Sequence, residues 1–238
     1  MRYILAPTGA GGHVEGMSRI THLGPDPSRP NAPAVLWLVG ITCLPEIVLT
    51  LIGGGPFGLD NLRNIALLHG AFWSGILSGW QPVYPGQGTL MFVTYAFLHG
   101  GLMHLVANMV VVLALGGIVV ARLGQWGFLL LYGFSIIGGA AGFALISGSE
   151  SPMVGASGAV FGLLGAWKYW DWQTRRAVGA PMGPLWRQLV GLVLLNVLLY
   201  VALSGLLAWE AHLGGFVVGW AFAAAVTPPL RPRRAPGA

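Results

Sequence analysis

Long runs of hydrophobic residues alternate along most of the chain with short segments rich in glycine, proline and charged residues. A run of about 20 apolar residues is long enough to cross a bilayer as an α-helix. The pattern therefore predicts six transmembrane helices, the fourth of them short, at residues 34–52, 92–120, 126–146, 157–170, 189–207 and 211–226. Residues 59–87 combine aromatic residues with glycine and proline, which is typical of a segment lying half-immersed at the membrane interface.

The composition agrees with a membrane protein. The chain of 238 residues is 55% hydrophobic and 8% charged, whereas about a quarter of the residues in soluble domains are charged. We therefore expect an all-α integral membrane protein with a six-helix transmembrane domain at residues 34–228. Residues 1–33 are predicted to form a flexible cytoplasmic tail and residues 229–238 a short basic cytoplasmic tail. The single cysteine, Cys43, allows no internal disulfide and no metal cluster, so neither a metal nor another cofactor is expected.

The basic residues predict how the helices are oriented. Arg63 lies on one side of the six-span arrangement, and the other Lys and Arg residues lie on the opposite side. Because cytoplasmic loops carry an excess of basic residues, both termini are predicted to be cytoplasmic. The net charge of +5 is then a signal of topology and of attraction to anionic lipids in the bilayer, and nucleic acid is not expected as a partner.

Four polar side chains within the predicted spans stand out: Ser157, His104, Asn108 and His212. Polar groups are costly in lipid unless they face the protein interior or a wet cavity. From the helical rise, Asn108, Ser157 and His212 each lie roughly 21–23 Å above the cytoplasmic end of their helix. The three residues are therefore expected at one level, below the outer membrane surface.

These residue types suggest nucleophilic catalysis. A serine becomes a nucleophile when a neighbouring histidine takes its proton, and Asn or neutral His side chains can stabilise an oxyanion. His104 and Asn108 are four residues apart and so share a helix face. Without an Asp or Glu near this depth in the fourth or sixth span, a Ser157-His212 dyad is predicted. The competing interpretation is a polar packing network without catalysis.

Glycines around these residues would allow the fourth and sixth helices to pack closely. Gly155 and Gly158 flank the serine and give access to it, because glycine has no Cβ. A smooth stripe at Ala211, Gly215 and Gly219 can dock against the glycines at positions 158, 162 and 165. This docking would bring His212 to Ser157, where the ring of Phe161 could hold the imidazole.

Three motifs resemble those of the rhomboid intramembrane serine proteases, in particular the six-span bacterial type. They are HGGLMHLVAN at residues 99–108, GASG at residues 155–158 and AHLGGFVVG at residues 211–219. Their order, spacing and positions in the spans fit the family across residues 34–226. The resemblance implies a rhomboid bundle of six transmembrane helices in which the loop after the first helix forms a membrane-embedded hairpin.

Carried to this chain, the resemblance implies that Ser157 is the nucleophile and His212 the general base. His104, Asn108 and the Ser157 amide would form the oxyanion hole, while His99 has a structural role. Supporting roles fall to Gly155, Gly158, Phe161, Gly215 and Gly219. The chain departs from the family at Leu90-Met91, where many relatives carry a Trp-Arg pair in the hairpin, and at Val120, where a Glu is common.

The implied function is that of an intramembrane serine endopeptidase that cleaves single-span membrane proteins. Its active site would open to the outer face of a membrane, and the composition favours a bacterial cytoplasmic membrane. Two other classes stay open at this stage: a catalytically inactive rhomboid relative that binds client helices, and a transporter or channel. The sequence does not indicate the natural substrate, the oligomeric state or the role of Glu46.

Overall fold

The computed structural model describes residues 32–52 and 61–228. The two tails predicted from the sequence lie outside the described residues, except for residues 32 and 33. The helices are α1 (Pro33–Ile52), α2 (Leu62–Gly70), α3 (Ser74–Leu77), α4 (Gln87–Thr94), α5 (Leu102–Ile146), α6 (Ser157–Val178), α7 (Gly183–Ala202) and α8 (Trp209–Val226), with a 3₁₀ turn at Tyr95–Phe97.

The helix α5 consists of two helices joined at Gly124. This residue has φ 72° and ψ 176°, a conformation that only glycine adopts without strain. The two halves correspond to the second and third predicted spans, and α1, α6, α7 and α8 correspond to the others. Helices α1, α5 and α7 are long and apolar enough to cross a membrane by length and composition. The prediction of an all-α membrane protein is confirmed.

Two helix boundaries differ from the predicted spans. The second predicted span begins at Leu102 and not near residue 92, because Gly101 has φ 135° and separates α5 from the preceding 3₁₀ turn. The fourth helix continues past the hydrophobic run to Val178, where the Asp171-Arg175 ion pair (2.9 Å) stabilises its polar last turns. Hydrophobicity marks the part of a helix that lies in lipid, and the helix itself can be longer.

The fifth predicted span is also shifted towards the N-terminus. Helix α7 begins at Gly183 with Pro184 in its first turn, a position that suits proline because the missing N-H has no intrahelical partner there. It ends at Ala202, and the following residues Ser204 and Gly205 have positive φ values of 52° and 82°. The span is therefore 183–202 and not 189–207.

Helices α6 and α8 pack through backbone contacts at glycine positions. A Cβ added at Gly215 would collide with the carbonyl oxygen of Gly158, and one added at Gly219 would collide with that of Gly162. Small residues of this kind let helix backbones approach closely in membranes. By contrast, Leu185 is the one buried residue of α7, so this helix exposes most of its apolar surface towards lipid.

Candidate active site

Ser157 is the first residue of α6 and follows a glycine with an unusual backbone conformation. Gly155 has φ 123°, which lets the chain turn sharply from an extended segment into the helix. The first N-H groups of a helix have no intrahelical partner, so no carbonyl oxygen of α6 accepts a hydrogen bond from the Ser157 N-H. The half-buried hydroxyl of Ser157 thus lies beside a backbone donor.

The segment before Ser157 is fixed by backbone hydrogen bonds to two other parts of the chain. Phe72 and Met153 exchange two backbone hydrogen bonds of 2.9 and 3.0 Å. The Gly155 N-H donates to the Tyr95 carbonyl at 3.0 Å, and the Tyr95 hydroxyl donates to the Ile136 carbonyl at 2.8 Å. The segments before α3 and before α5 therefore hold residues 153–156, the serine loop, against the core.

His99 also supports this loop. Its Nε2 accepts a hydrogen bond of 3.4 Å from the Ala156 N-H, so this nitrogen carries no proton and the imidazole is neutral. The ring is 1% exposed and contacts His104 edge to face, with centroids 5.1 Å apart. His99 thus lies under the loop, next to the residue that precedes Ser157.

His104 and Asn108 both face Gly155 from α5. A Cβ built on Gly155 would lie 2.7 Å from His104 Nε2 and 3.8 Å from Asn108 Nδ2. His104 Nδ1 accepts a hydrogen bond of 3.3 Å from the Gly100 N-H, so Nε2 of the neutral ring carries the proton. Both side chains therefore present an N-H donor to the loop that carries Ser157.

The Asn108 side chain is 6% exposed, and its Nδ2 is a buried donor with no hydrogen-bond partner among residues 32–52 and 61–228. It is one of seven buried side-chain N or O atoms of the described residues that have no partner, and it lies 3.8 Å from a Cβ built on Gly155, two residues before Ser157. A free donor at this place could bind an oxygen of a molecule held next to the serine.

His212 lies in the first turns of α8, where its ring stacks on Phe161. The two ring planes are 6° apart in angle and their centroids are 4.2 Å apart. Phe161 is one turn after Ser157 on α6. A Cβ at Gly158 would lie 3.5 Å from the Ala211 carbonyl oxygen. Gly158 follows Ser157 and Ala211 precedes His212, so the two site residues have sequence neighbours that lie close together. Both residues therefore occupy one end of the α6-α8 interface.

The structure adds a site residue that the sequence pattern did not single out. Asn196 Oδ1 of α7 lies 2.6 Å from Nδ1 of His212. The available signal was an asparagine in the middle of an apolar run, the same kind of signal that singled out Asn108. An amide on a neighbouring helix thus occupies the position beside the imidazole that a carboxylate holds in a catalytic triad.

A cavity of about 490 Å³ opens beside His212 between α6, α7 and α8. Apart from His212 and Asn196, its lining is almost wholly apolar and aromatic, with residues such as Leu192, Val193 and Phe216. The imidazole therefore borders a space suited to apolar groups.

Together these contacts assemble a hydroxyl, an imidazole and two side-chain N-H donors around the start of α6. All ten site residues expected from the sequence lie in α5, α6, α8 or the connections that precede α5 and α6. Nucleophilic attack on a carbonyl needs this set of groups: a hydroxyl, a proton acceptor and donors for the developing oxyanion.

Comparison with known proteins gives a consistent family. A family model for the Rhomboid domain matches residues 87–229. The chain is 32% identical over 153 residues to RHOMBOID-like protein 6, mitochondrial, from Arabidopsis thaliana, covering 59% of this chain and 45% of the relative. It is 32% identical over 135 residues to rhomboid protease GluP from Bacillus subtilis (strain 168), covering 56% and 25%.

A further match is rhomboid-like protease 5 from Toxoplasma gondii, at 35% identity over 136 residues, 53% of this chain and 15% of the relative. The chain thus spans less than half the length of the relatives it matches. The family model covers most of the helices described above, including all of α5, α6, α7 and α8. This chain belongs to the rhomboid family.

Proposed function

We propose that this protein is an intramembrane serine endopeptidase in which Ser157 is the nucleophile and His212 the general base. The observation that carries the proposal is the free Asn108 amide donor, buried and facing Gly155. A donor at this position, beside the residues that precede Ser157, is placed to bind the oxygen of a carbonyl that the serine attacks. An oxyanion hole requires it to stay free until a tetrahedral intermediate forms.

In the proposed reaction, the imidazole of His212 takes the proton of the Ser157 hydroxyl as the oxygen attacks the scissile carbonyl carbon. The negative charge on the carbonyl oxygen is stabilised by Asn108 Nδ2, His104 Nε2 and the Ser157 N-H. His212 then gives the proton to the leaving amine, and an acyl-enzyme remains. A water molecule, deprotonated by the same imidazole, releases the acyl group and restores the hydroxyl.

The proposed substrates are single-span membrane proteins. The apolar cavity beside His212 is suited to the side chains of a transmembrane segment. Residues that weaken a helix near the cut would favour cleavage, because an intact helix keeps its backbone carbonyls in hydrogen bonds.

For the setting, we propose a bacterial cytoplasmic membrane with both termini of the chain in the cytoplasm. The excess of Lys and Arg on one side of the six spans supports this orientation. It puts the start of α6, and with it Ser157, towards the outer face, from which water would reach the site.

The test uses purified protein in liposomes with a single-span membrane protein as substrate and a fluorophosphonate as serine-reactive probe. Wild-type protein is expected to cleave the substrate and to be labelled, whereas Ser157→Ala and His212→Ala lose both activities. The matched controls Ser151→Ala and His69→Ala change exposed residues of the same types and should keep both. Cleavage that persists in Ser157→Ala would refute the proposal.

One outcome would favour the second candidate, an inactive relative that binds client helices. Folded wild-type protein that neither cleaves nor reacts with the probe, but is retained by single-span proteins in liposomes, would identify this function.

A further inference from the structure

Helix α7 contributes one side-chain hydrogen bond to the site, from Asn196 to His212. The distance from Asn196 Oδ1 to His212 Nδ1 is 2.6 Å. Asn196 is half-buried, whereas the residues on either side of it, Leu195 and Val197, are exposed and apolar. The asparagine is therefore the polar exception on this part of the helix, and its side chain points at the imidazole.

A second hydrogen bond fixes which end of the amide faces the histidine. Asn196 Nδ2 donates to the carbonyl oxygen of Leu192, one turn earlier in α7, at 2.8 Å. A carbonyl oxygen can only accept, so the NH₂ group must lie on that side and Oδ1 must face His212. The amide oxygen also only accepts, so the proton of this contact is on Nδ1 of the imidazole.

This assignment determines the reactive state of His212. A neutral imidazole carries one proton, and with that proton on Nδ1 the lone pair is on Nε2. The Nε2 atom is then the one able to take a proton. The ring plane is fixed from the other side by stacking on Phe161, at 4.2 Å between centroids. Phe161 fixes the plane of the ring, and Asn196 fixes which of its two nitrogens is the base.

We propose that Asn196 is a positioning residue for His212 and makes the catalytic unit a Ser157-His212-Asn196 triad rather than a dyad. The inference rests on the proposed function, since it concerns the base of that reaction. The Nδ1 proton stays on the ring throughout, and the amide oxygen accepts its hydrogen bond before and after Nε2 is protonated. Because a hydrogen bond from a charged donor is stronger than one from a neutral donor, the amide stabilises the imidazolium that forms during attack.

The hydrogen bond from His212 to Asn196 also gives α7 a chemical role. Leu185 is the one buried residue of this helix, and it lies at the opposite end from Asn196, near the start of α7. Asn196 therefore acts at a point where packing contributes little to holding α7, and its effect on His212 is expected to come from the hydrogen bond.

The experiment compares three variants in the full-length protein in liposomes. Asn196→Leu keeps the size of the side chain and removes the acceptor, and Asn196→Asp keeps an acceptor. Leu195→Ala is the control, because Leu195 is an exposed residue next to Asn196 on α7 and does not line the cavity. Removing a hydrogen bond to a group that becomes charged is expected to lower kcat about 10- to 100-fold, with KM changed less than twofold. Asn196→Asp should retain kcat within about fivefold of wild type, and Leu195→Ala should match wild type.

A spectroscopic measurement tests the same inference without relying on turnover. In protein labelled with ¹⁵N-histidine, the resonances of His212 are identified by their loss in His212→Ala. Wild-type protein is expected to show a protonated Nδ1 and an unprotonated Nε2, and Asn196→Leu a shift towards the other tautomer. A protonated Nε2 in wild type would overturn the positioning role of Asn196.

The outcomes separate this inference from the proposed protease activity. Active wild-type protein with undiminished kcat in Asn196→Leu refutes the positioning role and leaves the protease intact. An equal loss in Asn196→Leu and Leu195→Ala also refutes it, because the effect then comes from packing of α7. Wild-type protein without cleavage or labelling refutes the protease, and the tautomer measurement still decides the hydrogen-bond assignment.

Discussion

Arg63 and Glu46 form an ion pair, with Nη2 of Arg63 2.7 Å from Oε1 of Glu46. The glutamate side chain is completely buried in α1, and the arginine lies at the start of α2. Nη1 of Arg63 also donates to Glu46 Oε2 at 3.1 Å and to the His99 carbonyl oxygen at 3.0 Å. One guanidinium therefore connects α1, α2 and the segment that supports the serine loop.

This ion pair gives Glu46, for which the sequence offered no role, a structural function in the first span. Residues 90 and 91 are Leu and Met, so they contribute no charge to the connection between α1 and α5. Arg63, in the first turn of α2, gives this connection a positive charge, and its ion pair with Glu46 fixes the connection to α1.

The two partners are expected to differ in their contribution to stability. Arg63→Met leaves a buried carboxylate without its counter-charge and should lower the free energy of unfolding by about 3 kcal/mol. Glu46→Gln should cost less, because the Arg63 side chain is 34% exposed and water can solvate it. Denaturation in mixed micelles, followed by tryptophan fluorescence, measures both.

Arg187→Met serves as the control for this comparison, since Arg187 is an exposed arginine on α7. Its unfolding curve should overlay that of wild type. Equal losses for Arg63→Met and Glu46→Gln would contradict the asymmetry that burial implies.

The stacking of Phe161 on His212 predicts an effect on rate. An aromatic pair in contact contributes about 1 kcal/mol beyond its buried area. If that energy holds the imidazole in its reactive position, Phe161→Ala lowers kcat about fivefold, and Phe161→Tyr, which retains a ring, does not. Phe134→Ala removes a ring that contacts Phe222 at 6.0 Å, away from Ser157 and His212, and should leave kcat unchanged. A similar loss in both alanine variants would point to general loosening of the bundle.

The membrane class and the helices that correspond to the predicted spans could be predicted, because apolar runs of bilayer length rarely occur outside transmembrane helices. The boundaries depended on features that hydropathy does not record. Gly101, with φ 135°, delays the start of α5, and the Asp171-Arg175 pair lets α6 continue beyond its apolar part. Local backbone conformation and ion pairing decide where a helix ends, and lipid contact decides where the apolar run ends.

For the candidate site, the sequence was informative where spacing and depth restrict a side chain. His104 and Asn108 share a face because they are four residues apart, and the structure has both directed at Gly155. Asn196 could not be oriented in this way, because the apolar residues of α7 surround it on all sides and define no polar face. Nor could the partner of Glu46 be found, since Arg63 reaches it from a separate helix. Both of these contacts are tertiary.

Close packing of α6 and α8 predicts a large effect from a single methyl group. In Gly219→Ala, the new Cβ would meet the carbonyl oxygen, carbonyl carbon and Cα of Gly162, so the helices must separate. Overpacking of this kind costs about 2 kcal/mol.

Gly191→Ala on α7 is the matched control, because a Cβ there has no atom within 4 Å among its described surroundings. It should be neutral or slightly stabilising, since alanine favours a helix over glycine. Unfolding in mixed micelles distinguishes the two, and equal stability would show that the helices can adjust.

The unsatisfied amide of Asn108 predicts that activity and stability change independently. Asn108→Leu removes an oxyanion donor and is expected to lower kcat about 100-fold. The free energy of unfolding should not fall, because the substitution removes a buried donor that has no partner in the described part of the chain. Asn108→Asp should be less active still, since a carboxylate next to the oxyanion adds repulsion to the loss of the donor.

His104→Ala provides the comparison within the same proposed oxyanion hole. It also removes a donor, but it breaks the hydrogen bond from Gly100 and the contact with His99, so both kcat and stability should decrease. Kinetics and unfolding of the three variants, measured in the same lipid or detergent, test this difference. A packing network would make Asn108→Leu unstable and its loss of activity secondary to unfolding, whereas an oxyanion donor leaves the protein folded and slow.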